Sequence, residues 1–196
     1  MTSEALAECF VYITLPGETG QVTAGRYTLG RDRRGVPEGR FVYGRSYLER
    51  PNAVSLDPFE LKLAPRVYAT NALGGIFGAL RDASPDYWGR RVIQRHLGRA
   101  QPSELDYLLN SPDDRAGALG FGLNQVPPAP RRMFNRTLDL ANLQVAADAI
   151  CLDEEQPADT GGEQLHELLL IGTSMGGARP KAVVEDDAGL CLPVPR

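Results

Sequence analysis

The sequence predicts an α+β fold, with an antiparallel β region at the N-terminus, helices packed on it, and a smaller region after a proline-rich connection. Three observations predict it. Short β-prone segments separated by turn residues fill the first third of the chain, helical periodicity follows from about residue 74, and three prolines fall within residues 127–130. With 196 residues and 42% hydrophobic residues, the chain can form one core or two small ones.

Three segments in the first third are predicted strands. Residues 9–15 are apolar and β-prone, residues 21–29 alternate loosely, and residues 40–43 include aromatic and β-branched side chains. Glycine, proline and aspartate cluster between them, and these residues favour turns. Short strands joined by such turns predict an antiparallel meander.

Two helices are predicted after the strands. Apolar residues at helical spacing favour a short helix over residues 74–80. A Ser-Pro pair then opens a second helix over about residues 86–97, and the glycine that follows is its expected end. Trp88, Val92 and Ile93 fall on one side of the second helix and are its expected buried face.

A third helix and a strand complete the predicted N-terminal region. Ser103 can cap a helix and precedes a leucine-rich segment, and small and apolar residues at 117–123 predict a buried strand. Prolines prevent residues 125–135 from continuing a helix or a sheet. This segment is therefore the predicted connection between a β-rich subdomain of residues 1–124 and a second region of residues 136–196.

The second region is predicted to contain two helices and a hairpin. Apolar periodicity favours helices over residues 138–152 and 162–170. Two β-prone segments around an acidic turn predict a hairpin over residues 182–192. An isolated hairpin has few partners for its edges, so we expect an exposed edge that is prone to pairing.

Composition argues against several classes of protein. The net charge of -4 gives the chain no broad electrostatic footprint for nucleic acid. The sequence has no apolar run of about 18 residues and no basic region followed by an apolar stretch at its start, which argues against a membrane span and a secretory signal. We therefore expect a globular protein of the cytoplasm.

Cysteine and histidine spacing favours structural roles. Cys9, Cys151 and Cys191 are odd in number and widely separated, without the paired spacing of a zinc site, so we interpret them as reduced thiols. His96 and His166 are far apart in sequence and have no obvious nucleophile beside them. We interpret both as surface or helix-end residues.

A glycine-rich segment at residues 172–184 is the strongest candidate for chemistry. Paired glycines allow backbone N–H groups to turn inward around an anion, and a lysine a few residues later supplies a positive charge. Such a loop can hold phosphates. It matches neither the P-loop nor the dinucleotide-binding pattern, so a plain structural turn between helix and strand is the alternative from the residues alone.

Four segments, taken in order, resemble the HipA family of toxin kinases. The segment GTSMGGARPKA resembles the glycine-rich loop that covers the ATP phosphates in that family. The other three are FVYGRSYLERP, FGALRDASPDYWGRRVIQR and DDRAGALGF. Together they cover most of the chain, and the resemblance implies that the second region opens a protein-kinase-like N-lobe.

The resemblance also implies roles for individual residues. The nucleotide phosphates would lie against Gly176, Gly177, Ala178, Arg179 and Lys181. Ser174 matches the serine that family members autophosphorylate, and a phosphate there would repel the bound nucleotide and switch the kinase off. The alternatives are that Ser174 is a turn residue and that Arg179 and Lys181 are solvated charges.

The resemblance implies ATP and Mg²⁺ as cofactors, but the residues that perform phosphoryl transfer in the family follow the glycine-rich loop. After Lys181 this sequence offers only residues 182–196, so we expect weak or no ATP binding, no catalytic or metal-binding residues, and no kinase activity from the 196-residue chain. The implied partners are a HipB-like helix-turn-helix antitoxin and a protein substrate. DNA would be bound only through the antitoxin, and no membrane is implied.

Three hypotheses about function remain open from the sequence. The chain is the N-terminal part of a HipA-like serine/threonine kinase, or a free-standing module that binds an antitoxin or a separate kinase subunit, or a degenerate gene product. The first predicts a reading frame that continues past Arg196. The second predicts a stop codon and a stable complex.

Overall fold

A computed structural model describes residues 7–98, 101–111, 115, 117–128, 147, 148, 150, 182–185 and 191–194. The chain forms two compact units, both assembled from separate stretches of sequence. The first unit comprises Met1–Ser84, Glu104–Leu109 and Gly117–Arg131, and the second comprises Pro85–Ser103, Asn110–Ala116 and Arg132–Arg196. The predicted division at residues 125–135 remains a prediction.

A five-stranded antiparallel sheet forms the framework of the first unit. Its strands are β1 (Ala7–Thr14), β2 (Gln21–Arg31), β3 (Pro37–Tyr43), β4 (Val67–Thr70) and β5 (Leu119–Gly122). They lie in the order β4-β3-β2-β1-β5. The predicted meander of the first three strands and the predicted strand within residues 117–123 are confirmed, and the fold of this unit is α+β.

Alternation along the strands gives the sheet one buried and one solvent-facing side. Val11, Tyr27 and Phe41 are at most 1% exposed and belong to the core. Arg26 and Arg40 project from the other face, where Arg26 pairs with Glu8 on β1 at 3.3 Å and Arg40 pairs with Glu38 on its own strand at 2.6 Å. Loops and helices therefore cover one face of the sheet.

Two glycines let the chain after β4 cross the buried face at close range. A Cβ placed on Gly39 would lie 1.6 Å from the carbonyl oxygen of Gly75. The Tyr27 hydroxyl donates to that same oxygen at 2.7 Å. Because the hydroxyl and the β3 backbone both lie against Gly75, this segment is fixed to the middle of the sheet.

The helices of the first unit are short. They are α1 (Arg45–Leu48), a 3₁₀ turn (Ala72–Gly74), α2 (Gly78–Asp82) and the first part of α4 (Glu104–Asn110). The prediction that a helix begins at residue 74 and runs to residue 80 is wrong about the start, because α2 begins at Gly78. Gly74 and Gly75 have φ of 76° and 89°, and Phe77 is extended, so Ile76 and Phe77 are buried by a loop rather than by a helix.

The predicted helix over residues 86–97 is confirmed in the second unit as α3 (Tyr87–Leu97). The Asp86 side chain accepts a hydrogen bond from the Gly89 N–H at 2.8 Å, and Gly98 ends the helix with φ of 58°. Trp88, Val92 and Ile93 are all buried, as predicted from their spacing. The side chain at the N-cap satisfies a backbone donor that the first turn leaves free.

Replacing this N-cap should destabilise the second unit measurably. We expect Asp86→Ala to lower its free energy of unfolding by about 1 kcal/mol, whereas Asp86→Asn, which keeps a side-chain acceptor, should lose less. Trp88 is the only tryptophan in the sequence and lies in α3, so its fluorescence during urea unfolding reports on this unit. Equal stability of the wild type and Asp86→Ala would contradict the assigned cap.

Other described residues of the second unit agree with the predicted elements. Residues 147, 148 and 150 are helical, and the remainder of the predicted 138–152 helix lies outside the described residues, as does the whole of 162–170. Strands β6 (Ala182–Glu185) and β7 (Cys191–Val194) pair in an antiparallel two-stranded sheet. The predicted hairpin is therefore confirmed.

Two further features are absent from the described residues. None of the helices there is both long and apolar enough to cross a membrane. That same part of the chain contains no group of histidine, cysteine, aspartate and glutamate side chains that could hold a metal ion.

Candidate functional site

Residues 172–181 of the glycine-rich segment lie outside the described residues. Ser174, Gly176, Gly177, Ala178, Arg179 and Lys181 are all in this stretch, so their predicted roles remain predictions. The described structure resumes at Ala182, the first residue of β6. The candidate site with defined geometry is instead a loop of the first unit.

Three tyrosine hydroxyls hold residues 49–66, the loop between α1 and β4. The Tyr43 hydroxyl donates to the Leu61 carbonyl at 2.5 Å and accepts from the Leu56 N–H at 2.8 Å. The Tyr47 hydroxyl donates to the Val54 carbonyl at 2.8 Å. A third hydroxyl, that of Tyr68, donates to the Lys62 carbonyl. Main-chain groups along the loop are thus bound to side chains of β3, α1 and β4.

The rings of the same tyrosines pack together beneath the loop. Tyr43 stacks on Tyr47 with centroids 5.7 Å apart, and meets Phe41 and Tyr68 edge-on at 4.9 and 6.3 Å. The Arg66 guanidinium lies 4.5 Å from the centre of the Tyr68 ring. Burial raises the pKa of Tyr43 to about 12 and also raises the pKa of Tyr47. The surroundings of Tyr43 and Tyr47 therefore favour the protonated, neutral form of their phenol groups.

The free energy of unfolding should fall at alkaline pH because of this cluster. Tyr43 keeps its proton in the folded state up to a pKa of about 12, against an ordinary value of 10.0, so its contribution is full below pH 10 and is lost as pH rises through 12. Urea unfolding between pH 8 and pH 11, followed by circular dichroism, measures the decline. Tyr43→Phe should decline less steeply than wild type.

Tyr87 supplies a matched control for that experiment, because its side chain is 60% exposed. Tyr87→Phe should leave the pH dependence of unfolding as in wild type. An identical alkaline decline in wild type and Tyr43→Phe would contradict the assigned burial of the Tyr43 phenol.

The tip of the loop is folded on itself by one carboxylate. Asp57 Oδ1 accepts from the N–H groups of Phe59 and Glu60 at 2.6 and 2.7 Å, and the Asp57 carbonyl accepts from the Leu61 N–H at 3.2 Å. Glu60 Oε2 accepts from the Gly78 N–H at the start of α2 at 2.8 Å. Phe59 projects from this tip with 86% of its surface exposed.

Three arginines of α2 and α3 have structural partners. Arg81 pairs with Glu104 at 2.8 Å within the first unit. In the second unit, Arg90 donates to the Pro85 carbonyl at 3.2 Å and Arg91 to the Ile150 carbonyl at 2.6 Å.

Comparison with known families identifies the class of protein to which this chain belongs. The family model of the HipA N-terminal domain matches residues 20–122, which run from the end of the first turn through β5 and cover more than half of the chain. Proteins of this class occur in toxin–antitoxin pairs. The chain belongs to the HipA family, and the match is to the N-terminal domain of the proteins in that family. The search of curated proteins found no match.

Sequence patterns did not single out the tyrosine-held loop. One available signal was Asp57-Pro58, because an aspartate before a proline favours a turn whose side chain binds the main chain two residues later. Another was the presence of Tyr43 and Tyr47 within the segment FVYGRSYLERP. Neither signal says which carbonyl a hydroxyl reaches, so the loop geometry comes from the structure alone.

Proposed function

We propose that this chain is the N-terminal part of a HipA-like serine/threonine kinase toxin and that its first unit binds a HipB-like helix-turn-helix antitoxin. The family match over residues 20–122, which include β2 to β5 of the antiparallel sheet, is the observation that supports this proposal. The first unit has its own apolar core, which gives a partner a rigid surface to bind. DNA contact would come through the antitoxin.

The kinase part of the proposal concerns the glycine-rich loop. Gly176, Gly177 and Ala178 would bring backbone N–H groups to the ATP phosphates, with Arg179 and Lys181 as cations beside them. The residues that bind Mg²⁺ and those that orient the attacking hydroxyl would lie outside the 196 residues. The β6–β7 hairpin that follows the loop would be the first two strands of a kinase-like N-lobe.

Ser174 is proposed as a site of autophosphorylation. A phosphate adds a charge of about -1.5 to -2 at neutral pH. Placed within the glycine-rich loop, this charge would repel the nucleotide phosphates and weaken ATP binding. The modification would thereby inactivate the complete kinase.

A free-standing module is the second candidate function. Its support is that the core of the first unit is formed by residues of that unit, from β1 to β5. Such a module would bind an antitoxin, or a kinase subunit encoded separately. Both candidates require the first unit to bind a protein partner.

Antitoxin binding is tested with a purified HipB-like helix-turn-helix antitoxin from the same genome. We expect the two purified proteins to form a complex with a dissociation constant of about 1 μM or tighter, measured by isothermal titration calorimetry. The helix-turn-helix protein titrated into buffer supplies the baseline. If the two proteins at about 50 μM gave neither heat of binding nor a co-eluting complex, the proposal would be overturned.

A further inference from the structure

Phe59 is the most exposed of the large apolar side chains in the described part of the chain. It is 86% exposed, whereas the loop around it is held by three tyrosine hydroxyls. A side chain this exposed adds almost nothing to the core, because hydrophobic stabilisation scales with the area removed from water. The surrounding hydrogen bonds therefore fix the main chain at a residue whose side chain the fold itself does not need.

Within residues 57–60, which we call the docking tip, the backbone donors around Phe59 are already bound. Pro58 has no N–H, and the N–H groups of Phe59 and Glu60 are bound by Asp57. Docking of the tip would therefore strip little water from these main-chain N–H groups. The fixed turn has also lost most of its conformational entropy before any partner binds. Both features lower the cost of inserting Phe59 into a pocket.

The charge of the docking tip selects the kind of partner. Asp57 and Glu60 place two carboxylates beside Phe59, and the nearest basic residue along the chain is Lys62, beyond the tip. An anionic membrane surface would repel this arrangement. A protein surface with an apolar pocket and a basic rim would attract it, and proteins that bind DNA have basic surfaces.

We propose that Phe59 is an anchor residue that inserts into an apolar, basic-rimmed pocket on the helix-turn-helix partner. This inference rests on the proposed antitoxin binding, and it assigns that binding to one side chain of the chain. Aromatic anchors at the centre of an interface provide a large share of binding energy. The flanking carboxylates speed association and fix orientation.

The test compares variants of the full chain in binding to the purified helix-turn-helix protein. Phe59→Ser should weaken binding by about 30-fold. The double variant Asp57→Asn/Glu60→Gln keeps a side-chain acceptor at both positions and removes the charges. It should slow association by about 3- to 10-fold and reduce the salt dependence of binding.

Val126→Ser is the matched control, because Val126 is 76% exposed in the same unit but lies in the segment after β5. Its affinity should stay within about twofold of wild type. Thermal unfolding of Phe59→Ser should match wild type, since the side chain is exposed. Vesicles containing anionic lipid should not bind the wild-type chain.

Each outcome decides between the two proposals. Wild-type binding with a selective loss in Phe59→Ser supports the anchor. Equal binding by wild type and Phe59→Ser overturns the anchor and leaves antitoxin binding standing. No binding by wild type overturns both proposals. Binding to vesicles that depends on Phe59 would overturn the anchor as well, because it would identify a membrane, rather than a protein pocket, as the binding partner of Phe59.

Discussion

Gly39→Ala should unfold the first unit or lower its free energy of unfolding by about 3 kcal/mol or more. The added Cβ would lie 1.6 Å from the Gly75 carbonyl oxygen and 2.9 Å from the Tyr27 ring, and neither neighbour can yield freely. The Gly75 oxygen is a backbone atom bound by the buried Tyr27 hydroxyl. Relief of the collision would break that bond and lift the chain off the sheet. Far-UV circular dichroism during urea unfolding measures the loss.

Gly20→Ala is the control for this substitution. A Cβ added to Gly20 would meet no atom within 4 Å, and Gly20 does not adopt positive φ, so its replacement should change stability by less than about 0.5 kcal/mol. A Gly39→Ala protein as stable as Gly20→Ala would show that the segment after β4 does not lie against β3.

The 196-residue chain should show no phosphoryl transfer from ATP in the presence of Mg²⁺. Kinases place metal-binding side chains and an aspartate around the phosphates, and the proposed loop supplies only backbone N–H groups and the cations Arg179 and Lys181. Phosphate contacts without a metal site should give weak ATP binding, with a dissociation constant of about 1 mM or weaker. Labelled γ-phosphate transfer to the chain itself and to a general protein substrate is the measurement.

Variants of the loop separate weak binding from catalysis. Lys181→Ala should weaken the residual ATP binding further, while Arg45→Ala, at an exposed position in α1 of the first unit, should leave it unchanged. Robust Mg²⁺-dependent phosphorylation by the wild-type chain would refute the prediction and place a complete catalytic site within these residues.

Elements set by short-range preferences could be predicted from the sequence. The first three strands follow from β-prone residues between turn residues, and α3 follows from its periodicity and its two ends. α2 shows the limit of this approach. Ile76, Phe77 and Leu80 have helical spacing, but the left-handed conformations of Gly74 and Gly75 delay the helix to Gly78.

Features that depend on distant partners could not be predicted. Strand β4 has four residues, too few to show alternation, and it exists as a strand through its pairing with β3. Hydrogen bonds from tyrosine hydroxyls to loop carbonyls likewise depend on the tertiary fold. The docking tip combines both cases, because its turn is local whereas its position is fixed by β3, α1 and β4.

The position of β5 has a consequence for synthesis of the protein. β5 pairs with β1, so that Phe10 lies opposite Gly122, roughly a hundred residues later in the chain. A ribosome adding about 5 to 20 residues per second needs roughly 5 to 20 s to cover that distance. During this interval the nascent β1 has an open edge, to which a neighbouring nascent chain can add a strand. Slower translation before residue 119 would prolong that exposure, and a chaperone bound to the emerging sheet would shorten the time for mispairing.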